Sequence, residues 1–192
     1  MKSCKGRQLQ FINYKTFLAI AWKTFFQVQK LCKKRTITKV DTDNDVDKIC
    51  FLNAEIQRQS ITSILFCTMT LEAFINNYGA TKLSKSYFDN YLEKLDLKSK
   101  WIVIPKLVTG KQINSDTKAC NSLINLISLR NKLVHVKTLG DSSSEIKSNN
   151  WLWETDTFGA LECVKLMINE LKKIDNDVDL DWIEDTKNDP YA

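Results

Sequence analysis

Apolar residues recur at three- and four-residue spacing through most of this chain, the pattern of helices that each bury one stripe. Phe11, Tyr14, Leu18, Trp22, Phe25 and Val28 predict a first helix over about 11–34. The Thr-, Asp- and Asn-rich stretch 36–47 predicts a loop. A long helix then carries Ile49, Ile56, Ile61, Ile64, Leu65, Leu71, Ile75 and Tyr78, with Gly79 as its natural terminator. Ser86 to Asp89 reads as a capping-box-like start for a shorter helix through Leu95. The apolar run 101–107 predicts a compact connector with one helical turn after Pro105, a residue tolerated at a helix start. Asn114 or Ser115 is positioned to cap the next helix, which runs to about Lys137 with Gly140 beyond it. A Ser- and Asn-rich loop over 141–150 leads through Trp151 and Trp153 into a last helix over 157–174. No pair of strands stands out. The expectation is an all-α fold, an antiparallel bundle of about five helices. It divides into a basic amino-terminal helix and loop packing on the core over 1–44, a helical core over 45–174, and an acidic tail over 175–192.

Charge changes the picture at both ends. Ten basic residues from Lys2 to Lys39 precede the first acid, Asp41, whereas Asp175, Asp177, Asp179, Asp181, Glu184, Asp185 and Asp189 crowd the end. A basic end favours a polyanion such as RNA, although the same lysines also serve as a solvated face. Cys4, Cys32, Cys50, Cys67, Cys120 and Cys163 form no CxxC pair, and scattered cysteines in helical runs behave as small hydrophobes. That usage predicts a reducing, cytoplasmic compartment. The apolar run 17–22 is too short for a signal-peptide core and no segment reaches bilayer length, so no membrane association is expected.

The chemistry concentrates in Leu129-Arg130-Asn131-Lys132-Leu133-Val134-His135, which contains the only histidine of the 192 residues. Histidine takes and gives a proton near neutrality, and arginine grips a phosphate with a planar fork of donors. At about 100° per residue, this helix shows one polar strip, Asn121, Asn125, Ser128 and Lys132, with apolar residues on both flanks. The pattern predicts a mostly buried helix. Arg130 falls opposite the polar strip, where an apolar residue is called for. Asn131 and His135 share a face and continue the Ile124–Ile127 stripe. One outcome is structural: a buried Arg130 satisfied by a carboxylate, with His135 as a favourable cation at the helix end. The other is a catalytic cleft.

The pattern Arg130-x4-His135 with a polar residue after the Arg, and the upstream segment Thr70-Leu71-Glu72-Ala73-Phe74-Ile75-Asn76, resemble the HEPN superfamily. These are all-α domains of many prokaryotic toxins, abortive-infection proteins and CRISPR-associated ribonucleases. The resemblance covers about 45–174 and leaves the first helix outside. It implies metal-independent RNA cleavage, with no cofactor. Arg130 would hold the scissile phosphate, His135 would act as general acid or base, and Asn131 would orient the His or bind the phosphate. Because one imidazole cannot fill both proton-transfer roles at once, the resemblance implies a composite site across a homodimer. It also implies an antitoxin or regulatory protein as a further partner. Glu72 is expected to orient Arg130 or Asn131 from behind.

Three function classes follow: a HEPN-type endoribonuclease acting as a toxin or phage-defence effector, an inactive HEPN module binding RNA, nucleotide or protein, and an unrelated helical structural protein. Other chemistry is set aside. Asp41-x-Asp43-x-Asp45 and Asp175-x-Asp177-x-Asp179 imitate a calcium loop but lack its Gly and its twelfth-position Glu. No zinc set, Gly-rich phosphate loop or Gly-x-Ser-x-Gly elbow occurs. Cys120 or Cys163 is conceivable as a nucleophile with His135, but Cys120 is four turns away on the same helix. Trp101, Trp151 and Trp153 could stack on bases or fill the core.

Overall fold

A computed structural model describes residues 13–38, 42–134 and 153–188. Among them lie seven helices and no strand: α1 Asn13–Ile37, α2 Asp43–Leu83, α3 Lys85–Tyr91, α4 Leu97–Thr109, α5 Lys118–Val134, α6 Trp153–Ile174 and α7 Asp181–Lys187. The fold is all-α, an antiparallel bundle.

The centre is α2, whose 41 residues span about 60 Å at 1.5 Å per residue. It starts earlier than its apolar period indicates because Asp45 caps it, accepting the Thr42 N–H at 3.1 Å and the Thr42 hydroxyl at 2.7 Å. Helix α1 lies antiparallel to it: Tyr14 meets Phe74, Phe17 meets Phe66, and the buried Ser63 hydroxyl donates to the Ala21 carbonyl at 2.9 Å. Helix α6 runs parallel to α2, with Trp153 packed against the Val28, Cys32 and Ile56 cluster at one end and Asp175 bonded to Tyr78 at the other. The core between the three is made by Leu18, Trp22 and Phe25, by Ile64, Leu71 and Ile75, and by Leu161, Met167 and Ile168, all nearly inaccessible.

Three elements depart from the sequence reading. Gly79 does not end α2. A β-carbon there would stand 3.1 Å from both the Ile104 Cγ2 and the Phe88 Cδ2, so the missing side chain admits α3 and α4. The turn falls instead at Ser84, which takes a positive φ of 85° and accepts the Tyr87 N–H, so Ser84 and not Ser86 caps α3, which stops at Tyr91 short of Leu95. Second, Pro105 is inside α4 rather than at a helix start. The Asp96 carboxylate caps that helix through the Ser99 N–H, and the buried face of Trp101, Ile104 and Pro105 packs against α2. This burial outweighs the roughly 3 kcal/mol that an interior proline costs. Third, the acidic stretch read as a tail is, over 175–188, part of the packed body. Val178, Trp182 and Ile183 are buried, and Trp182 meets both Tyr14 and Phe74.

Cys32, Cys67 and Cys163 are buried, as expected of small hydrophobes, whereas Cys50 is exposed. No helix among the described residues is long and apolar enough to cross a membrane.

Candidate functional site

Helix α5 carries Arg130 and Asn131. It begins one residue beyond Thr117, whose hydroxyl accepts the Cys120 N–H at 3.3 Å. The cap is thus Thr117 and not Asn114 or Ser115. Asn114 forms the preceding turn, accepting the Asp116 N–H at 3.0 Å.

The buried stripe of α5 is narrow. Ala119, Leu123 and Leu126 are buried, spaced so that Arg130 and Leu133 fall next on the same line. Both are half-buried. Arg130 therefore occupies the inward position that the sequence assigns to it. Its Nη1 donates to the Asn131 Oδ1 at 3.0 Å, and no carboxylate among the described residues pairs with it. The expectation of a mostly buried helix does not hold on one side. Ile124 and Val134 are 41 % and 47 % exposed, and Asn131 between them is exposed. The reason is packing: α5 leans chiefly on α6 and α2, and the described residues leave its Ile124–Asn131–Val134 face open. His135, Trp151 and the 141–150 loop lie outside the described residues.

The polar strip lines a groove between α5 and α6. Asn125, Ser128 and Lys132 form one wall, and Thr155, Asp156 and Gly159 the other, around a volume of about 410 Å³, within the range that admits a small ligand. Burial pushes the Asp156 carboxyl above its ordinary range, so this group holds a proton more readily than a surface aspartate. The sequence reading did not single out Asp156. An aspartate in the first turn of a helix is common for its dipole alone, so no sequence signal separates it.

Glu72 is not behind Arg130. Its Oε1 stands 3.2 Å from the Nζ of Lys100, a lysine whose side chain is only 3 % exposed. The register of the helices explains the separation. Cys120 on α5, Cys163 on α6 and Cys67 on α2 lie at one level, near enough for each thiol to perturb its neighbour. From that level Arg130 is about 15 Å along α5, while Glu72 is about 7 Å the other way along α2. Glu72 serves α4.

Burial, and then the neighbouring Cys120, pushes the Cys163 thiol up to about 12, and burial pushes Cys67 up as well. Neither supplies a thiolate nucleophile near neutrality. Trp101 is core, stacked on Phe74 with 6.1 Å between centroids. Within the two Asp-x-Asp-x-Asp runs, Asp45 caps α2, and Asp175 and Asp177 hold Lys82. Among the described residues no group of His, Cys, Asp and Glu is placed to hold a metal ion.

Comparison with protein-family models, with curated proteins and with solved structures gives no match for this chain.

Proposed function

We propose that this protein is a metal-independent RNA endonuclease of HEPN type, acting as a homodimer in a toxin or phage-defence setting. The observation that carries the reading is the state of Arg130. A structural arginine on the buried stripe of a helix calls for a carboxylate partner. Arg130 bonds instead to Asn131, on a side of α5 that the described residues leave uncovered.

The chemistry required is modest. A base takes the proton of a ribose 2′-hydroxyl, the 2′-oxygen attacks the adjacent phosphorus, and the bond from phosphorus to the 5′-oxygen breaks. An acid returns a proton to that oxygen, leaving a 2′,3′-cyclic phosphate and a 5′-hydroxyl. Arg130 neutralises charge growing on the non-bridging oxygens, Asn131 fixes the guanidinium plane, and His135 carries protons. Two copies meeting at the Ile124–Asn131–Val134 face would supply two imidazoles, one for each proton transfer, and would cover the apolar residues exposed there.

The test is cleavage of RNA in EDTA by wild type, Arg130→Ala and His135→Ala, with the products' ends analysed. Loss of cleavage in both variants, with cyclic-phosphate ends from wild type, supports the reading. Equal rates in all three would end it.

A further inference from the structure

We propose that the outward face of α1 is a docking surface for single-stranded RNA. The proposal rests on the RNA reading above for the choice of polyanion, but on different residues and a different helix.

The sequence of α1 contains Lys15, Lys23, Lys30, Lys33, Lys34 and Arg35 and no acidic residue. All six are exposed, and none is in an ion pair among the described residues. Among the described residues, the ion pairs of the acidic end go to Lys82 and Lys165. On a helical projection Lys15, Lys23, Phe26, Lys30 and Lys33 fall within an arc of about 80°, turned away from the buried Leu18, Ala21, Phe25 and Val28. This is a cationic stripe with an aromatic ring in its middle.

Exposed rings stand on both α1 and α6. Phe26 is 42 % exposed and stacks on the buried Trp22, with 5.6 Å between centroids and 24° between planes. Phe158, 49 % exposed, lies against Phe25 at 6.1 Å. The ammoniums of Lys165, itself paired with Glu184, and of Lys187 sit 5.7 and 5.5 Å from the ring of the buried Trp22 that backs Phe26. Exposed ring faces among lysines fit unpaired bases on a phosphate backbone, because a base in a duplex hides its face. They do not fit a bilayer surface. A helix lying on lipid turns a broad apolar face outward, and the apolar face of α1 is buried in the core.

The probe is a short 2′-O-methyl oligouridine, which has no 2′-hydroxyl to attack and is bound without being cut. Binding is followed by fluorescence anisotropy, against the triple reversal Lys23→Glu/Lys30→Glu/Lys33→Glu and against Phe26→Ala. The reversal should weaken binding at least tenfold and flatten the dependence of log K on log salt by about 2, at roughly 0.7 for each phosphate no longer neutralised. Phe26→Ala should weaken binding about tenfold with the slope unchanged. Wild-type affinity in the reversal variant overturns the proposal. Equal affinity for a duplex of the same length overturns the single-strand assignment, and binding to phosphatidylserine vesicles without binding to the oligonucleotide overturns RNA as the occupant. The two proposals fail separately. If Arg130→Ala and His135→Ala cleave like wild type while the reversal loses the oligonucleotide, the nuclease fails and the docking face stands. If the reversal binds normally while those two variants are dead, the docking face fails alone.

Discussion

The Nη1 of Arg130 donates to the Oδ1 of the adjacent Asn131 at 3.0 Å. The guanidinium of this half-buried residue is thus held by a neutral amide, and no carboxylate among the described residues pairs with it. Arg130→Ala should slow RNA cleavage about 10²–10³-fold, the usual loss on removing a donor to transition-state charge. Its melting temperature should stay close to wild type, because no ion pair among the described residues is removed. Arg130→Lys should not restore activity, since an ammonium cannot reproduce the planar fork. A large drop in melting temperature for Arg130→Ala would mark a structural arginine instead.

Glu72 and Lys100 make the opposite case. Lys100 is buried and Glu72 half-exposed, so removing the carboxylate strands an ammonium in the interior. Glu72→Ala should lower the stability to urea by about 1–3 kcal/mol, whereas Lys100→Met should be neutral or stabilising. Glu72→Gln should cleave RNA at the wild-type rate. A catalytic defect in that variant would restore Glu72 to the site.

Tyr78 and Asp175 fasten α6 to α2 through a 2.7 Å hydrogen bond. Burial and then the Asp175 contact raise the Tyr78 pKa. Burial opposes ionisation of Asp175, but the Tyr78 hydroxyl, the Asp177 N–H and Lys82 together hold it below the usual carboxylate range. A depressed carboxyl stabilises the fold above its unfolded pKa and loses that contribution as pH falls through its folded value. A raised phenol stabilises below its unfolded pKa and loses that contribution as pH rises through its folded value. Urea titrations should therefore show stability falling below about pH 4 and above about pH 10. Tyr78→Phe should cost about 1 kcal/mol near neutrality and flatten the alkaline limb. Unchanged limbs would contradict the coupling.

Gly79 separates packing from propensity. In an open helix Gly→Ala gains about 1 kcal/mol. Here the new methyl meets the core side chains Ile104 and Phe88 at 3.1 Å, and Gly79→Ala should destabilise by about 1 kcal/mol net. Adding Ile104→Val should recover part of that stability. A more stable single variant would show that the two side chains give way freely.

The helices are legible in the sequence because their apolar residues keep a helical period, and the inward place of Arg130 follows from that period alone. What is not legible depends on partners far along the chain. Gly79 terminates a helix in isolation and admits Ile104 and Phe88 in the fold. Pro105 reads as a start signal until Asp96 caps the helix ahead of it. The acidic run after Ile174 reads as solvated until Val178, Trp182 and Ile183 are seen buried beneath it. Ile124 looks like a core residue by spacing, yet the number of helices that cover α5 is a property of the bundle. Glu72 shares a helix with the core, but only the register of α2 against α5 and α4 reveals Lys100 as its partner.

The central claim is that Arg130 and His135 perform metal-free chemistry on RNA. Its most direct test is single-turnover cleavage of RNA in EDTA by wild type and His135→Ala at matched concentration. The account predicts cyclic-phosphate products from wild type and a rate at least about 100-fold lower for the variant. Equal rates, or cleavage by wild type only when a divalent metal is restored, would contradict it.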